Sequence, residues 1–264
     1  MGYGNMTQDS PVIQIKNLSK SFISNGERLN VLSNISLEIQ SGDFVTILGV
    51  SGSGKSTFLR CIGGFEQADS GEVYINGEII TKPGRYASMV FQDFNQIFPW
   101  KTVYENVSYP LTVLNTFSEI EIKEKTEYYL NMVGLSKFHD YYPHQLSGGM
   151  KQRTAIARSL AQEPSVILMD EPFASLDADT RTALRKEVLD IWHKADGKIT
   201  ILFVTHGLLE AISIASRFVV LDMANGYSVF DNPVEGIPGK LKNPEDKGFD
   251  ECWSKLNNMI RNKR

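Results

Sequence analysis

The feature that most constrains this chain is a glycine-rich run, GVSGSGKST, at residues 49–57. It follows the apolar run FVTIL, which is typical of a strand, and it leads into STFLRCIGG, which is typical of a helix. A strand that passes into a helix through glycines presents several backbone N–H groups at one point, where they can surround a phosphate. The run therefore predicts an α/β fold with a phosphate-binding loop.

Each residue type in this loop has a predicted task. Gly52 and Gly54 let the backbone curl, so that successive N–H groups face a β-phosphate. Lys55 is expected to reach the β- and γ-phosphates, and Ser56 is expected to hold Mg²⁺. The predicted ligand-binding residues of the loop are Gly49, Val50, Ser51, Gly52, Ser53, Gly54, Lys55, Ser56 and Thr57.

A second apolar run, VILM, ends in two carboxylates, Asp170 and Glu171. A phosphate loop of this kind needs a carboxylate at the end of a neighbouring strand, which holds the metal through water. Asp170 is predicted to fill that place, and Glu171 is placed to polarise an attacking water. A lone Asp-Glu pair is more often a solvated strand end, but the phosphate loop favours the catalytic interpretation.

Composition and hydropathy limit the class of protein. The 264 residues are 42% hydrophobic, which suits one sizeable α/β domain or two small ones. The net charge of −4 argues against nucleic acid as the main partner. The longest apolar runs have the length of strands, and the N-terminus lacks the pattern of a signal peptide. We therefore expect a protein that is not secreted and does not cross a membrane by itself.

The order of patterns along the chain predicts its organisation. Residues 12–50 read as short strands, and Asn76-Gly77 marks a hairpin turn. A helical stretch follows from Pro99 to about Gln162. After it the chain alternates strand and helix, which implies a mostly parallel sheet with helices on both faces.

A second candidate anion site lies in the run HQLSGGMKQR, residues 144–153. Ser147, Gly148 and Gly149 stand where a helix is predicted to begin, so their backbone N–H groups could face an anion. The same pattern also predicts a plain helix cap at Ser147, and the two interpretations are compatible.

Together these motifs resemble the ATP-binding subunits of ABC transporters. LSGGMKQ resembles the signature of that family, and GVSGSGKST, VFQD, VILMDEPFASLD and VTH complete five motifs in family order over about residues 12–223. The resemblance implies an ATPase that uses ATP and Mg²⁺. It implies a P-loop NTPase fold with a mostly parallel core sheet, an N-terminal antiparallel β subdomain and an inserted helical subdomain at about 99–163. The ABC ATPase domain would span 12–230, with a C-terminal extension at 231–264.

The resemblance also implies a role for the second anion site. In this family two nucleotide-binding subunits face each other head to tail. Ser147, Gly148 and Gly149 of one copy would then contact the γ-phosphate of the ATP that the other copy holds. Asp177, in the run SLD, would lie across the same interface.

Further roles are implied position by position. Gln92 resembles the glutamine that senses Mg²⁺ and the γ-phosphate, and His206 resembles the switch histidine that contacts the γ-phosphate. Phe22 stands where an aromatic ring stacks on adenine, although core packing would explain a lone Phe equally well. Gly207 departs from the family, which usually has Asp there, so a helix cap and a charge are lost. The implied catalytic residues are Lys55, Glu171 and His206.

The resemblance extends to one group of importers, those for nitrate, sulfonate, taurine and bicarbonate. The stretches FQDFNQIFPWKTVYENVSYPL and DEPFASLDADTR carry it. It implies a second copy of this chain, transmembrane permease subunits and, indirectly, a solute-binding protein as partners, at the cytoplasmic face of the membrane. The alternative is a soluble ABC ATPase that acts on ribosomes or nucleic acid, which usually has two cassettes or a long coiled-coil insertion.

Two apolar segments remain open to more than one interpretation. Phe98, Pro99 and Trp100 are expected to line the groove that receives a permease helix, or else to pack on the helical insert. The run FDECWSKLNNMIRNKR predicts an amphipathic helix with a basic end, which packs on its own domain or lies on a membrane surface. Its apolar face would consist of Phe249, Cys252, Trp253, Leu256 and Ile260.

Overall fold

The described strands form two sheets that differ in direction and in burial. The computed structural model describes residues 11–24, 26–92, 96–174, 176–222, 226–235 and 241–261. In chain order the strands are β1 (Ile13–Ser24), β2 (Glu27–Ile39), β3 (Phe44–Leu48), β4 (Ser70–Ile75), β5 (Glu78–Ile79), β6 (Ala87–Val90), β7 (Val166–Asp170), β8 (Thr200–Val204), β9 (Arg217–Asp222) and β10 (Gly226–Asp231).

The N-terminal sheet is antiparallel, as predicted, with the strand order β2-β1-β4-β5. Asn76 and Gly77 join β4 to β5 with φ angles of 53° and 77°, the left-handed pair of a tight hairpin turn. The hairpin of β1 and β2 is longer than its apolar residues predict, since pairing continues as far as Ser24 and Glu27.

The core sheet has the order β10-β9-β3-β8-β7-β6. Its neighbouring strands are parallel except for β10, which pairs antiparallel with β9. Every residue of β3, β7 and β8 is buried. Because both faces of these strands are covered, their sequences are nearly continuous apolar runs rather than alternating patterns. The predicted mostly parallel core sheet is confirmed.

Capping boxes fix the starts of two helices in the inserted region. The Glu121 carboxylate accepts the backbone N–H of Ser118 at 2.8 Å, and the spacing of Ser and Glu three residues apart is the sequence signal of such a box. Thr102 and Glu105 form the same arrangement, and the sequence TVYE carries the corresponding signal. The helices are α1 (Lys55–Ile62), α2 (Val103–Leu114), α3 (Glu119–Met132), α4 (Gly148–Ala161), α5 (Ala178–Lys194), α6 (Leu208–Ile214) and α7 (Phe249–Arg261).

The core sheet separates two apolar layers. Phe44 of β3 packs with the layer formed by α2, α3, α4 and α5. Its neighbour Val45 points to the opposite face, where it packs with α1 and the antiparallel sheet. The alternation follows from the pleat of a strand, which sends successive side chains to opposite faces. Both faces of the central strands are therefore packed, and the candidate functional residues stand at the ends of these strands.

The C-terminal helix α7 packs on its own chain. Phe249, Cys252 and Leu256 are buried in one cluster with residues of α6 and β9, and Ile260 is partly buried against them. Trp253 was predicted to belong to the same apolar face, but 37% of its surface is exposed at the margin of this contact. Lys263 and Arg264 of the predicted basic end lie outside the described residues.

Among the described residues, none of the helices has the length and apolar character that a membrane span requires.

Candidate functional site

The predicted functional residues lie close together because they stand at the ends of three neighbouring strands of the core sheet. The glycine-rich loop follows β3, His206 follows β8, and Asp170 ends β7, in the strand order β3-β8-β7. Parallel strands end at the same edge of a sheet, and α/β proteins bind ligands at that edge. Segments far apart in sequence therefore meet at one place.

The glycine-rich loop, residues 49–57, wraps into the N-terminus of α1. Gly54 is the residue before the helix, with φ 87°, and a Cβ there would lie 2.7 Å from Val31 Cγ1. Gly52 also has a positive φ, 81°, and has open space where a Cβ would point. This geometry leaves the N–H groups at the start of α1 free to face a phosphate.

Lys55 is the cation of this loop. Its ammonium group donates to the carbonyl oxygens of Gly49 and Val50, at 2.9 Å each. Burial lowers the pKa of Lys55, and the nearby carboxylates of Glu171 and Asp170 oppose that shift. The lysine is thus held over the loop, where it can meet the phosphates of a nucleotide.

A cavity of about 690 Å³ lies over the loop, and we call it the P-loop cavity. Phe22 lies in its wall with 39% of its surface exposed, so this ring is not a core residue and is available for stacking. Val31 of β2 also lines it, and no sequence pattern marked that residue. The wall consists of Phe22, Val31, Ser51, Gly52, Gly54, Lys55, Ser56, Thr57, Glu171 and His206.

Ser56 and Asp170 form a candidate metal-binding pair. The Ser56 hydroxyl donates to Asp170 Oδ1 at 2.8 Å. Burial raises the pKa of Asp170, while the hydrogen bond from Ser56 lowers it. A hydroxyl and a carboxylate are the oxygen donors that Mg²⁺ prefers, and this ion usually completes its shell with phosphates and water. The pair fits Mg²⁺, and no cluster of three or more metal-ligating side chains occurs in the described part of the chain.

Gln92, predicted as a third metal-sensing residue, is placed differently. It follows β6 and is exposed, and it does not line the P-loop cavity. Residues 93–95, which continue this segment, lie outside the described residues. Its role toward Mg²⁺ stays a prediction.

Glu171 and His206 are in contact at the edge of the P-loop cavity. His206 Nδ1 lies 3.1 Å from Glu171 Oε2. The backbone N–H of Glu171 donates to the Val204 carbonyl at 3.1 Å, which fixes the residue to the end of β8. Both side chains line the cavity, so a carboxylate able to accept a proton lies beside a group that can hydrogen-bond to a phosphate.

The turn after β8, residues 205–210, is stabilised without the family's aspartate, and we call it the switch turn. Gly207 precedes α6 and gives it no side-chain cap, as expected. Thr205 Oγ1 instead accepts the backbone N–H of Gly207 at 3.0 Å and donates to the Glu210 carboxylate. A hydroxyl and a carboxylate therefore hold the residues on both sides of His206, which the sequence did not reveal.

The signature residues lie apart from the P-loop cavity. Ser147 is exposed and caps α4, since its hydroxyl accepts the backbone N–H of Met150 at 3.3 Å. Gly148 and Gly149 are the first residues of that helix. None of these three lines the P-loop cavity. One chain thus carries two separate candidate phosphate sites.

Asp177 lies close to this second site. It caps α5, and its carboxylate accepts the backbone N–H of Thr180 at 2.9 Å. Hydrogen bonds from Thr180 hold the pKa of Asp177 below its usual value. A Cβ on Gly149 would lie 2.8 Å from Thr180 Cγ2, so the N-termini of α4 and α5 are in direct contact.

A separate groove of about 360 Å³ lies between β6, α2 and α4. Phe98 packs edge-on against Tyr109 with a centroid distance of 5.0 Å, and the Arg158 guanidinium lies 5.2 Å from the Phe98 ring. Phe98 therefore packs on the helical insert, one of its two predicted alternatives. Trp100 does not, since 70% of its surface is exposed.

Comparison with known proteins shows which family this chain belongs to. The sequence model of the family described as "ABC transporter" matches residues 32–174, just over half of the chain. An uncharacterised ABC transporter ATP-binding protein of Methanocaldococcus jannaschii is 45% identical over 81% of this chain and 79% of its own. The nitrate import ATP-binding protein of Synechocystis is 40% identical over 90% and 87%. The aliphatic sulfonates import ATP-binding protein of Bacillus subtilis is 41% identical over 78% of each chain.

Solved structures agree with this placement. A dimeric ATP-binding cassette in a post-hydrolysis state, bound to ADP and Pi, superimposes with a TM-score of 0.74. It is 34% identical, and the match covers 85% of this chain and all of that one. The chain belongs to the ABC transporter family and is an ATP-binding ATPase.

Proposed function

We propose that this chain is the ATP-hydrolysing subunit of an ABC importer. Two copies bind head to tail around two ATP molecules with Mg²⁺, and the cycle drives solute uptake through a separate membrane permease. The relatives named as import proteins for nitrate and for aliphatic sulfonates support a small anion or a related solute. A solute-binding protein on the other side of the membrane would deliver it.

The observation that carries this proposal is the separation of the two candidate phosphate sites. The P-loop cavity is bounded by Lys55 and by Glu171, and no signature residue reaches it. Ser147, exposed at the end of a helix with free N–H groups, is suited to a phosphate that a different chain holds. In a head-to-tail pair, the P-loop cavity of each copy would face the signature residues of the other, which makes two complete sites.

The residues then have distinct tasks toward ATP. Phe22 stacks on the adenine, and Lys55 with the loop N–H groups binds the β- and γ-phosphates. Ser56 and Asp170 hold Mg²⁺, with Gln92 sensing it. When bound, this ion would neutralise charge on the phosphate oxygens.

Hydrolysis itself falls to the pair at the edge of the P-loop cavity. Glu171 accepts a proton from the water that attacks the γ-phosphate, which makes that water a better nucleophile. His206 contacts the γ-phosphate and holds the carboxylate in its place. Asp177 acts at the interface, next to the signature residues that complete the site of the partner.

The chain would consist of an ATPase domain and a C-terminal extension, and the subunit would bind at a membrane. The ATPase domain spans 12–230 with its helical subdomain at about 99–163, and 231–264 forms an extension. The subunit would lie at the cytoplasmic face of the membrane, held there by the permease.

The groove beside Phe98 supplies the contact with the permease. Tyr109 and Val113 are exposed at its edge, and Trp100 stands nearby with most of its ring in water. A large apolar surface of this kind favours a protein partner over solvent. Arg158 adds a cation with no carboxylate partner in the described residues, which suits an acidic group on the partner helix.

Replacing Trp100 tests the permease contact. We expect Trp100→Glu to keep the ATPase activity of the isolated subunit within about twofold, because an exposed side chain contributes little to the fold. Recovery of the permease with the tagged subunit from membranes should fall at least fivefold. Ile120→Glu is the matched control, since Ile120 is equally exposed on α3 outside the groove. Undiminished assembly, or recovery of ribosomes in place of a permease, would contradict the proposal.

A further inference from the structure

A second cavity, of about 520 Å³, shares a wall with the P-loop cavity. Glu171 and His206 line both, so this pair stands between the two spaces. The remaining wall comes from Phe173 and Ala174 after β7, from the switch turn, from the N-terminal half of α5 and from α7. Arg181 and Arg185 of α5 lie in it, and we call it the arginine cavity.

The two arginines of this cavity have few hydrogen-bond acceptors within the described part of the chain. Arg181 donates to the Leu176 carbonyl, and Arg185 donates to the Thr182 hydroxyl, each at 2.9 Å. In the described part of the chain neither guanidinium pairs with a carboxylate. The Nε atom of each is buried and has no acceptor. Since a guanidinium has five N–H donors, most of this capacity is unused.

The two guanidinium groups lie where positive charge costs free energy, and a bound anion would reduce that cost. Arg181 and Arg185 are four residues apart on one helix face, where like charges repel. Arg181 also lies in the first turn of α5, at the positive end of the helix dipole. Arg153 shows the ordinary alternative in the same region, because it pairs with Glu187 of α5 at 2.9 Å.

Two carboxylates also line the arginine cavity. Glu171 lies against His206, and Glu210 accepts the hydroxyl of Thr205 through Oε2, while its Oε1 is buried without a hydrogen-bond partner. Neither forms an ion pair with the arginines. The cavity therefore holds two cations whose hydrogen-bonding capacity points to a ligand with several acceptor oxygens.

We propose that the arginine cavity is a binding site for a small oxyanion, the class that includes inorganic phosphate. Guanidinium groups bind the oxygens of such anions with paired N–H donors. ATP hydrolysis releases phosphate beside Glu171, and Glu171 borders both cavities. Phosphate is thus the oxyanion produced nearest to these arginines.

The C-terminal helix would report whether this site is filled. Trp253 and Asn257 of α7 line the arginine cavity, and Trp253 keeps 37% of its surface exposed, whereas Phe249, Cys252 and Leu256 of the same helix are buried. An anion bound beside the indole changes its environment. The inference rests on the proposed hydrolysis at Glu171, and it holds whatever solute or permease the subunit serves.

A phosphate titration followed by tryptophan fluorescence tests the site. The full chain carries Lys55→Ala, which removes the cation of the P-loop, and sodium chloride keeps the ionic strength constant. We expect a saturable change that Arg181→Gln with Arg185→Gln weakens about tenfold or more. Lys186→Gln with Lys194→Gln is the matched control, because it removes the same charge from exposed positions of α5 and should leave the binding unchanged.

Two further measurements make the result decisive. Trp253→Phe should abolish the fluorescence change while calorimetry still detects the binding. If the double arginine variant does not fold, as judged by circular dichroism, Arg185→Gln alone should weaken the binding at least threefold. Equal binding by the arginine and lysine variants, or an equal response to chloride, would overturn the proposal.

Parallel titrations with nitrate and methanesulfonate identify the source of the anion. A response to phosphate alone indicates the product of hydrolysis, and a response to all three oxyanions indicates the solutes named for the importers. None of these measurements uses turnover or transport. A failure here is therefore distinct from a failure of the proposed import function.

Discussion

Glu171 combines an unusual backbone with a defined contact. Its φ of 45° lies in the left-handed region, which costs free energy for a residue with a side chain. The next residue is Pro172, whose ring restricts the chain further. Such conformations persist where the surrounding structure imposes them, and here the hydrogen bond to Val204 does so. The carboxylate is thereby aimed at the P-loop cavity.

Substitution of Glu171 separates binding from hydrolysis. Glu171→Gln keeps the shape of the side chain and removes its ability to accept a proton, so we expect ATP binding within about threefold of the original. The hydrolysis rate should fall roughly 10²–10⁴-fold, the usual contribution of a general base. Glu124→Gln, at an exposed position of α3, should change neither quantity. A decrease of less than tenfold for Glu171→Gln would assign the base to another residue, with His206 the next candidate.

At the scale of elements, α7 is joined to the fold by a small apolar contact. Leu256 is fully buried between residues of α6 and β9. The helix is amphipathic, so its binding to the domain depends on that one face. The extension is therefore part of the folded unit, although it follows the last strand of the core sheet.

Truncation of Leu256 measures this contact. We expect Leu256→Ala to lower the free energy of unfolding by about 2–5 kcal/mol, because the buried side chain leaves a cavity. Ser254→Ala, on the exposed face of the same helix, should stay within about 0.5 kcal/mol of the original. Urea unfolding of both variants gives the comparison. A loss of less than about 1 kcal/mol for Leu256→Ala would mean that α7 is not firmly docked.

Buried elements were predictable from the sequence because burial leaves a strong pattern. β3, β7 and β8 are covered on both faces, so their apolar runs mark them, and the capping box at Ser118 marks the start of α3. The outer half of the hairpin of β1 and β2 was not predicted, because it is mostly exposed and pairing alone extends it.

The residues of the candidate site that belong to sequence motifs could be predicted. Lys55, Ser56, Glu171 and His206 line one cavity, as their spacing and the family resemblance led us to expect. Contacts without a motif were not predictable, since nothing in the chain shows that Thr205 bonds to Glu210 or that Trp192 donates to the Gly42 carbonyl. Such contacts depend on how the elements pack.

In the whole molecule, one copy carries two separate candidate phosphate sites. The P-loop cavity lies at the carboxyl edge of the core sheet, and the signature residues lie at the junction of α4 and α5. Charge-assisted hydrogen bonds contribute roughly 1.5–3 kcal/mol each, while association costs about 4–15 kcal/mol. A few such bonds across two composite sites make dimerisation marginal, so it should depend on bound ATP.

The measurement that tests this account most directly is size-exclusion chromatography of the Glu171→Gln protein with ATP. Slow hydrolysis preserves the nucleotide, and we expect a dimer with ATP and a monomer without it. Adding Ser147→Arg places a bulky side chain where the partner's γ-phosphate would lie, and should return the protein to monomer while ATP still binds. Ser136→Arg adds the same charge at an exposed position between α3 and α4, and we expect it to leave the dimer intact. An ATP-dependent dimer that survives Ser147→Arg would contradict the account, because the signature would then not bind the partner's nucleotide.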